Sequence, residues 1–217
     1  MLEILYQDQA LVVCVKPFRV LSTDEPGGMP DLIRQAIGQP QAKVPTVHRL
    51  DQVVGGLMVY GLTGHAASEL SRQIREDQFQ KEYQAVVHWR PQYDAGTYID
   101  LLGRNEKTRK TYVAKVPGKG IQQAVLHYRL LDNRQGFSLV EIRLETGRTH
   151  QIRAQFSARG MPLAGDRKYS KSPDPPSWQI ALWSSHLAFT HPETGEAMDF
   201  RLSPPATEPW TLFQDTP

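Results

Sequence analysis

A chain of 217 residues, 40% hydrophobic and 22% charged, has enough apolar content for a sizeable core and reads as an ordinary globular protein. No stretch approaches the roughly 18 apolar residues of a membrane span, and the N-terminus MLEILYQDQ lacks the basic-then-apolar order of a secretory signal. The one cysteine, Cys14, excludes an internal disulfide, so the cytoplasm is the default compartment.

The net charge of +2 hides an uneven distribution. From Arg104 to Lys119 six basic residues face one acid, a net of +5, and from Arg143 to Lys171 seven face two, again +5. From residue 193 to residue 217 five acids face only Arg201, a net of −4. Two basic segments in a nearly neutral chain raise the case for a polyanionic partner.

In chain order, residues 4–15 read as one or two short strands around the turn Gln7-Asp8-Gln9, ended by Lys16-Pro17 because proline cannot donate to a sheet ladder. Pro30 to Ile37 predicts a short helix with Gly38 past its end. A loop with Pro40 and Pro45 leads to VHRLDQVVGGLMVYGL, residues 47–62, in which a charged knot and two glycines precede a strand-like run from Leu57 to Leu62. Thr63 is a helix N-cap for a segment with Ala67, Leu70 and Ile74 on one side.

Glu82 to Val87 is strand-like, and a basic loop, Gly103 to Lys110, separates it from a strand over Thr111 to Val116. Ala124 to Leu131 and Phe137 to Leu144 predict a hairpin over residues 132–136. Thr149 is the expected cap of a helix with Ile152 and Phe156 inward and Gly160 beyond it. Ser172 to Ser177 is a surface loop, and Ser185 to Thr190 and Met198 to Leu202 are the last strands. Strands outnumber helices and several are hairpin-linked, so the expectation is a single α+β domain, 1–217, with a mostly antiparallel or mixed sheet.

Three constellations carry chemistry. Asp51 sits on a loop at the mouth of a strand, where a buried carboxylate would need a partner such as a guanidinium. Thr146-Gly147-Arg148-Thr149-His150-Gln151-Ile152-Arg153 places Arg148, His150 and Arg153 within a glycine loop and one helical turn, a moderately specific anion site. Lys81-Glu82-Tyr83 puts on a strand a ring on which a flat base can stack, with a phenol able to move a proton. The seven histidines form no H-E-x-x-H and no Cys/His cluster, so no metal is expected. Phosphate-cradling glycine motifs and a G-x-S-x-G elbow are also missing, and no cofactor is expected.

These residues resemble the RluA-type pseudouridine synthases. VHRLDQVVGGLM is similar to that family's H-R-L-D-x-x-T-S-G-L-L block, which puts the catalytic aspartate at Asp51. KEYQAVV is similar to K-x-Y-x-A-x-V, which puts the active-site tyrosine at Tyr83. LETGRTHQIRAQFSARGMPLAGDRKY resembles L-x-T-G-R-x-H-Q-I-R with its downstream G-x-P-I-x-G-D-x-x-Y, which puts the aspartate's ion-pair partner at Arg153. The opening ILYQDQALVVCVKP and the closing LAFTHPETGE also fit, so ordered blocks cover nearly the whole chain. Two departures stand out: Val54-Gly55 replaces Thr-Ser, and Leu163 replaces isoleucine. The resemblance implies a long bent mixed sheet with flanking helices and a central cleft, standing alone without the small leading S4-type RNA-binding domain that many members carry.

The implied reaction cuts the C1′–N1 bond of a uridine in RNA, turns the uracil and rejoins it through C5. An ionised Asp51 can attack C1′ or C6, or act as a base at the ribose, and the sequence leaves these routes open. Arg153 would hold the aspartate ionised, and Tyr83 would stack on the uracil. Arg49 is a candidate to fill the space vacated by the base, and Lys81, Arg148 and His150 are candidate RNA-binding groups. The expected partner is a small stem-loop of ribosomal or transfer RNA, with no membrane and a monomer as the default. A non-catalytic RNA-binding relative would not require Asp51, Tyr83 and Arg153 together, and a nucleoside hydrolase would need a second carboxylate that the central blocks lack.

Overall fold

The computed structural model describes residues 2–214, which fall into two compact units. One comprises the residues up to Lys81 together with Trp183–Ser203, the other Glu82–Leu182 together with the residues from Pro204 on.

In the first unit, β1 (Ile4–Gln7) and β2 (Leu11–Lys16) form a hairpin. Asp8 closes it, its Oδ1 accepting the backbone N–H groups of Ala10 and Leu11 at 2.8 Å each. β2 pairs antiparallel with β3 (Gly55–Gly61), Cys14 lying opposite Met58. Both strands are buried throughout, which explains their unbroken apolar runs. β3 runs parallel to β9 (Leu182–Thr190) through Gly55–Trp183 and Gly56–Ser184, and β9 pairs antiparallel with β10 (Ala197–Arg201).

Helix α1 (Met29–Ala36) ends at Ile37, with Gly38 at φ +68 just beyond. In α2 (Gly64–Arg75) the Thr63 hydroxyl accepts the Ala66 N–H at 3.0 Å, the expected cap. Leu70 of α2 joins Leu11, Val13, Leu57, Val59, Phe79, Leu187 and Phe189 in the core of this unit.

The second unit is an antiparallel sheet in the order β4 (Gln80–His88), β8 (Phe137–Leu144), β7 (Gln122–Arg134), β5 (Ala95–Asn105), β6 (Lys110–Ala114). A parallel β3–β9 pair in the first unit and antiparallel ladders in both make the architecture α+β and mixed. Helix α3 (Gln151–Ala158) packs Phe156 against Tyr98 and Tyr128, with ring centroids 5.2 and 5.9 Å away.

The structure corrects several expectations. β5 lies in a segment with no predicted strand, and the loop expected over Gly103 to Lys110 is half strand, reversing over residues 106–109. β7 continues through residues 132–134 to a two-residue turn in which Gln135 and Gly136 both have positive φ, the geometry that matches the twist of a hairpin. A 3-10 helix at Trp210–Phe213 follows. Within the loop 172–177 Asp174 is buried, its carboxylate 2.9 Å from His88 Nε2 and accepting the Gly165 N–H. The last residues of the acidic stretch, 215–217, lie outside the described ones. Among the described residues no helix is long and apolar enough to cross a membrane.

Candidate active site

Asp51 is half-buried and lies in the loop entering β3, where its carbonyl accepts the Val54 N–H at 2.9 Å and closes a tight turn. Two groups that the sequence reading passed over brace this loop. Ser22 is buried; its hydroxyl donates to the Leu50 carbonyl at 2.9 Å and accepts the Leu50 N–H at 3.1 Å. Lys16 is fully buried at the end of β2, and its ammonium donates to the carbonyls of Pro17 (3.0 Å), Gln52 (3.1 Å) and Val54 (2.7 Å). Burial pulls the Lys16 pKa down from 10.5 to about 8, against the opposing attraction of Asp51. The Lys16 ammonium therefore ties down the backbone of the aspartate loop.

The same loop explains the departure at Val54-Gly55. A Cβ on Gly55 would meet the Trp183 ring at 2.6 Å, and one on Gly56 would meet the Ser184 backbone at 2.4 Å. Gly56 also has φ +115, a conformation that side chains disfavour. The serine expected at position 55 is thus replaced by a glycine on which an indole packs, while Val54 contributes its carbonyl to Lys16.

Arg49, two residues before Asp51, is exposed. His48 accepts the Val59 N–H at Nε2 (3.1 Å), so its proton is on Nδ1, and that nitrogen is buried without a hydrogen-bond partner. Burial, helped by the nearby Lys81 charge, pushes the His48 pKa down to about 3 and keeps the ring neutral. Lys81 is half-buried with its ammonium 6.0 Å from the Phe79 ring centroid, and burial lowers its pKa as well.

In the second unit, Tyr83 is 6% exposed on β4, opposite Ile142 of β8. Arg153 is 4% exposed in the first turn of α3. Asp51 was the carboxylate expected to pair with it; within its own unit it makes a two-pronged ion pair with Asp166, Nε to Oδ2 and Nη2 to Oδ1, each 2.8 Å. Asp166 is itself aimed by the backbone N–H groups of Lys168 (2.9 Å) and Tyr169 (3.2 Å), both accepted at Oδ1. The Tyr169 ring lies under the guanidinium, its centroid 5.0 Å from Cζ. The phenol accepts the Thr111 N–H at 2.7 Å and sits 2.7 Å from His150 Nδ1.

Arg148, His150 and Arg153 are therefore gathered at one helix start, as the spacing predicted, and His150 and Arg153 share the Tyr169 ring. The capping differs from expectation: His150, in a left-handed conformation at φ +53, is the N-cap and makes no side-chain cap bond. Thr149 instead gives its carbonyl to the Thr111 hydroxyl, and the Gln151 side chain turns back to accept the Arg148 N–H and the Thr146 hydroxyl. Arg148 also donates from Nε to the Gln123 carbonyl at 3.0 Å. Lys16, Ser22, Asp166 and Tyr169 are the supporting residues that sequence reasoning missed. Lys16 and the GDRKY run lay inside recognised blocks, but nothing local said which group each would grip.

Chemically, the first unit offers a carboxylate on a loop held by a buried lysine, and the second an arginine caged by Asp166 and the Tyr169 ring. Among the described residues no cluster of three or more metal-ligating side chains occurs. Residues 10–158 match the family model described as RNA pseudouridylate synthase. The chain is 35% identical to the RNA pseudouridine synthase YlyB of Bacillus subtilis, covering 92% of this chain and 68% of that one. It is 34% identical to the dual-specificity RNA pseudouridine synthase RluA of Haemophilus influenzae, covering 92% and 91%. The solved structure of human RNA pseudouridylate synthase domain containing 1 has the same fold, with a TM-score of 0.81 over 95% of this chain and 85% of that one at 22% identity. With fold, family model and relatives in agreement, the chain belongs to the RNA pseudouridine synthases, isomerases that act on RNA.

Proposed function

We propose that this enzyme isomerises one or more uridines in structured ribosomal or transfer RNA, with Asp51 as the catalytic carboxylate, Arg153 as its ion-pair partner and Tyr83 stacking on the base. Among the relatives are a ribosomal large subunit pseudouridine synthase D from Zymomonas mobilis, 31% identical, and the dual-specificity RluA, which favours these two RNA classes. The observation that carries the residue assignment is the caging of Arg153. A guanidinium has five N–H donors; Asp166 takes one on Nε and one on Nη2, and this grip fixes the group so that it can also serve a second acceptor. In this reading that acceptor is Asp51, and the two units act as one catalytic domain.

The reaction follows from these roles. Asp51, ionised, acts on C1′ or C6 of the uridine or on the ribose as the C1′–N1 bond breaks; uracil turns and C5 bonds to C1′; the C5 proton then passes to solvent and N1 takes one up, with the Tyr83 phenol beside the ring. The target nucleotide must first leave its stack, and Arg49, exposed and close to Asp51 in sequence, would occupy the vacated space. Lys81, Arg148 and His150 would meet the neighbouring backbone. The monomeric enzyme needs neither metal nor cofactor in this scheme. A direct assay is to incubate the purified protein with RNA tritiated at C5 of uridine. Tritium released to water, with pseudouridine in the nuclease digest, is expected; free uracil would reveal a hydrolase, and neither product would leave only an RNA binder.

A further inference from the structure

The structure treats the two basic segments differently. In 143–171 three arginines are held by the protein itself, Arg153 by Asp166, Arg159 by Asp100 and the Tyr98 ring, Arg167 by the carbonyls of Asp174 and Pro175, while Arg143 is exposed. In the β5–β6 hairpin and the turn after it, Lys107, Arg109, Lys115 and Lys119 are exposed and make no ion pair among the described residues. Among the described residues the hairpin's ion pair is Arg104 with Glu106 at 3.9 Å.

The same hairpin carries an aromatic ring. Tyr112 pairs across the ladder with Gly103, and a Cβ on Gly103 would meet the Tyr112 ring at 2.7 Å, so the ring beds on the bare glycine. Tyr112 remains 47% exposed, with Ile99 at 61% on the same face by the two-residue period of the strand. The alternate residues, Thr111 and Val113, turn the other way: Thr111 donates to the Tyr169 phenol and Val113 packs on Leu102, Ala124 and Ala154.

β6 ends the sheet of its unit, and lysines commonly guard such an edge against self-pairing. A guard needs charge alone; it does not need a half-exposed ring seated on glycine. An exposed ring and unpaired cations on one hairpin supply what single-stranded nucleic acid requires, a platform for a base and contacts for its phosphates.

Resting on the pseudouridine synthase reading, we propose that the outer face of the β5–β6 hairpin docks substrate RNA outside the target nucleotide. An unpaired base stacks on Tyr112, and Lys107, Arg109 and Lys115 contact the flanking phosphates.

The test is fluorescence polarisation with a labelled RNA stem-loop across a salt series, beside steady-state turnover. Tyr112→Ala and Tyr112→Leu, the latter still covering Gly103, should each weaken binding about 5- to 100-fold, while Tyr112→Phe holds it within about threefold. The triple variant Lys107→Ala, Arg109→Ala, Lys115→Ala should lower the slope of log affinity against log salt by about 2. Each affected variant should raise KM at unchanged kcat. The proposal is overturned if these variants bind like wild type, if kcat falls at unchanged KM, or if the triple variant self-associates with its RNA affinity intact. Wild-type protein that makes no pseudouridine would instead defeat the enzyme reading, whereas normal turnover with indifferent hairpin variants would defeat this proposal alone.

Discussion

Asp166→Asn changes one atom of a side chain that is fully buried, yet the geometry predicts a large effect. Oδ1 of Asp166 faces three donors, Arg153 Nη2 and the N–H groups of Lys168 and Tyr169, and Oδ2 faces Arg153 Nε. An asparagine can keep its oxygen toward the three donors only by turning its amide N–H groups onto the Arg153 Nε–H, donor against donor. A hydrogen bond to a charged group contributes about 1.5–3 kcal/mol, and removing one member of a buried ion pair costs about 3–5 kcal/mol in all. Because Arg153 and Asp166 are only 5% and 0% exposed in their side chains, little solvent screening reduces that figure. The expected loss is therefore about 3–5 kcal/mol, or a fall in Tm of roughly 6–20 °C for a chain of this size. Urea unfolding and calorimetry measure it directly. A loss below about 1 kcal/mol would refute the view that Asp166 holds Arg153 in place.

Lys16 makes stability depend on pH in a defined window. Its pKa is about 8 when folded against 10.5 ordinarily, so between those values the unfolded chain binds a proton that the folded one does not. On this group's account stability rises with pH across that window, by up to about 3 kcal/mol. Lys16→Met should remove the rise, and a variant with the same slope as wild type would contradict it. Gly55→Ser should destabilise by about 1–3 kcal/mol through overlap with Trp183, and combining it with Trp183→Leu should recover part of that loss in a double-mutant cycle; strict additivity would count against the packing account. Tyr83→Phe should bind RNA normally and turn over more slowly, whereas weaker binding at unchanged kcat would show that the ring only packs.

Much of this was legible in the sequence because it is local. Thr63 before Ala67 and Leu70 announced a capped helix, and the glycines at 55–56 announced a close approach, although only the structure shows Trp183 and Ser184 as what approaches. Arg148, His150 and Arg153 could be placed on one helix start from spacing alone. What stayed hidden depends on long-range contacts. β5 alternates weakly, because Asp100 on its inner face binds Arg159 and Gln155 rather than joining an apolar row. Lys16 looked like the polar end of an apolar strand, since carbonyls 36 and 38 residues away cannot be seen from its neighbours. Thr149 had the composition of a cap, but the Thr111 hydroxyl claims its carbonyl and the Gln151 side chain satisfies the turn.

The most direct measurement is turnover by purified Asp51→Asn on RNA that the wild-type protein converts. The substitution keeps the size of the side chain and removes its charge, so RNA should bind within about threefold of wild type while pseudouridine falls to background. Conversion persisting at a substantial fraction of the wild-type rate would show that another group does the chemistry.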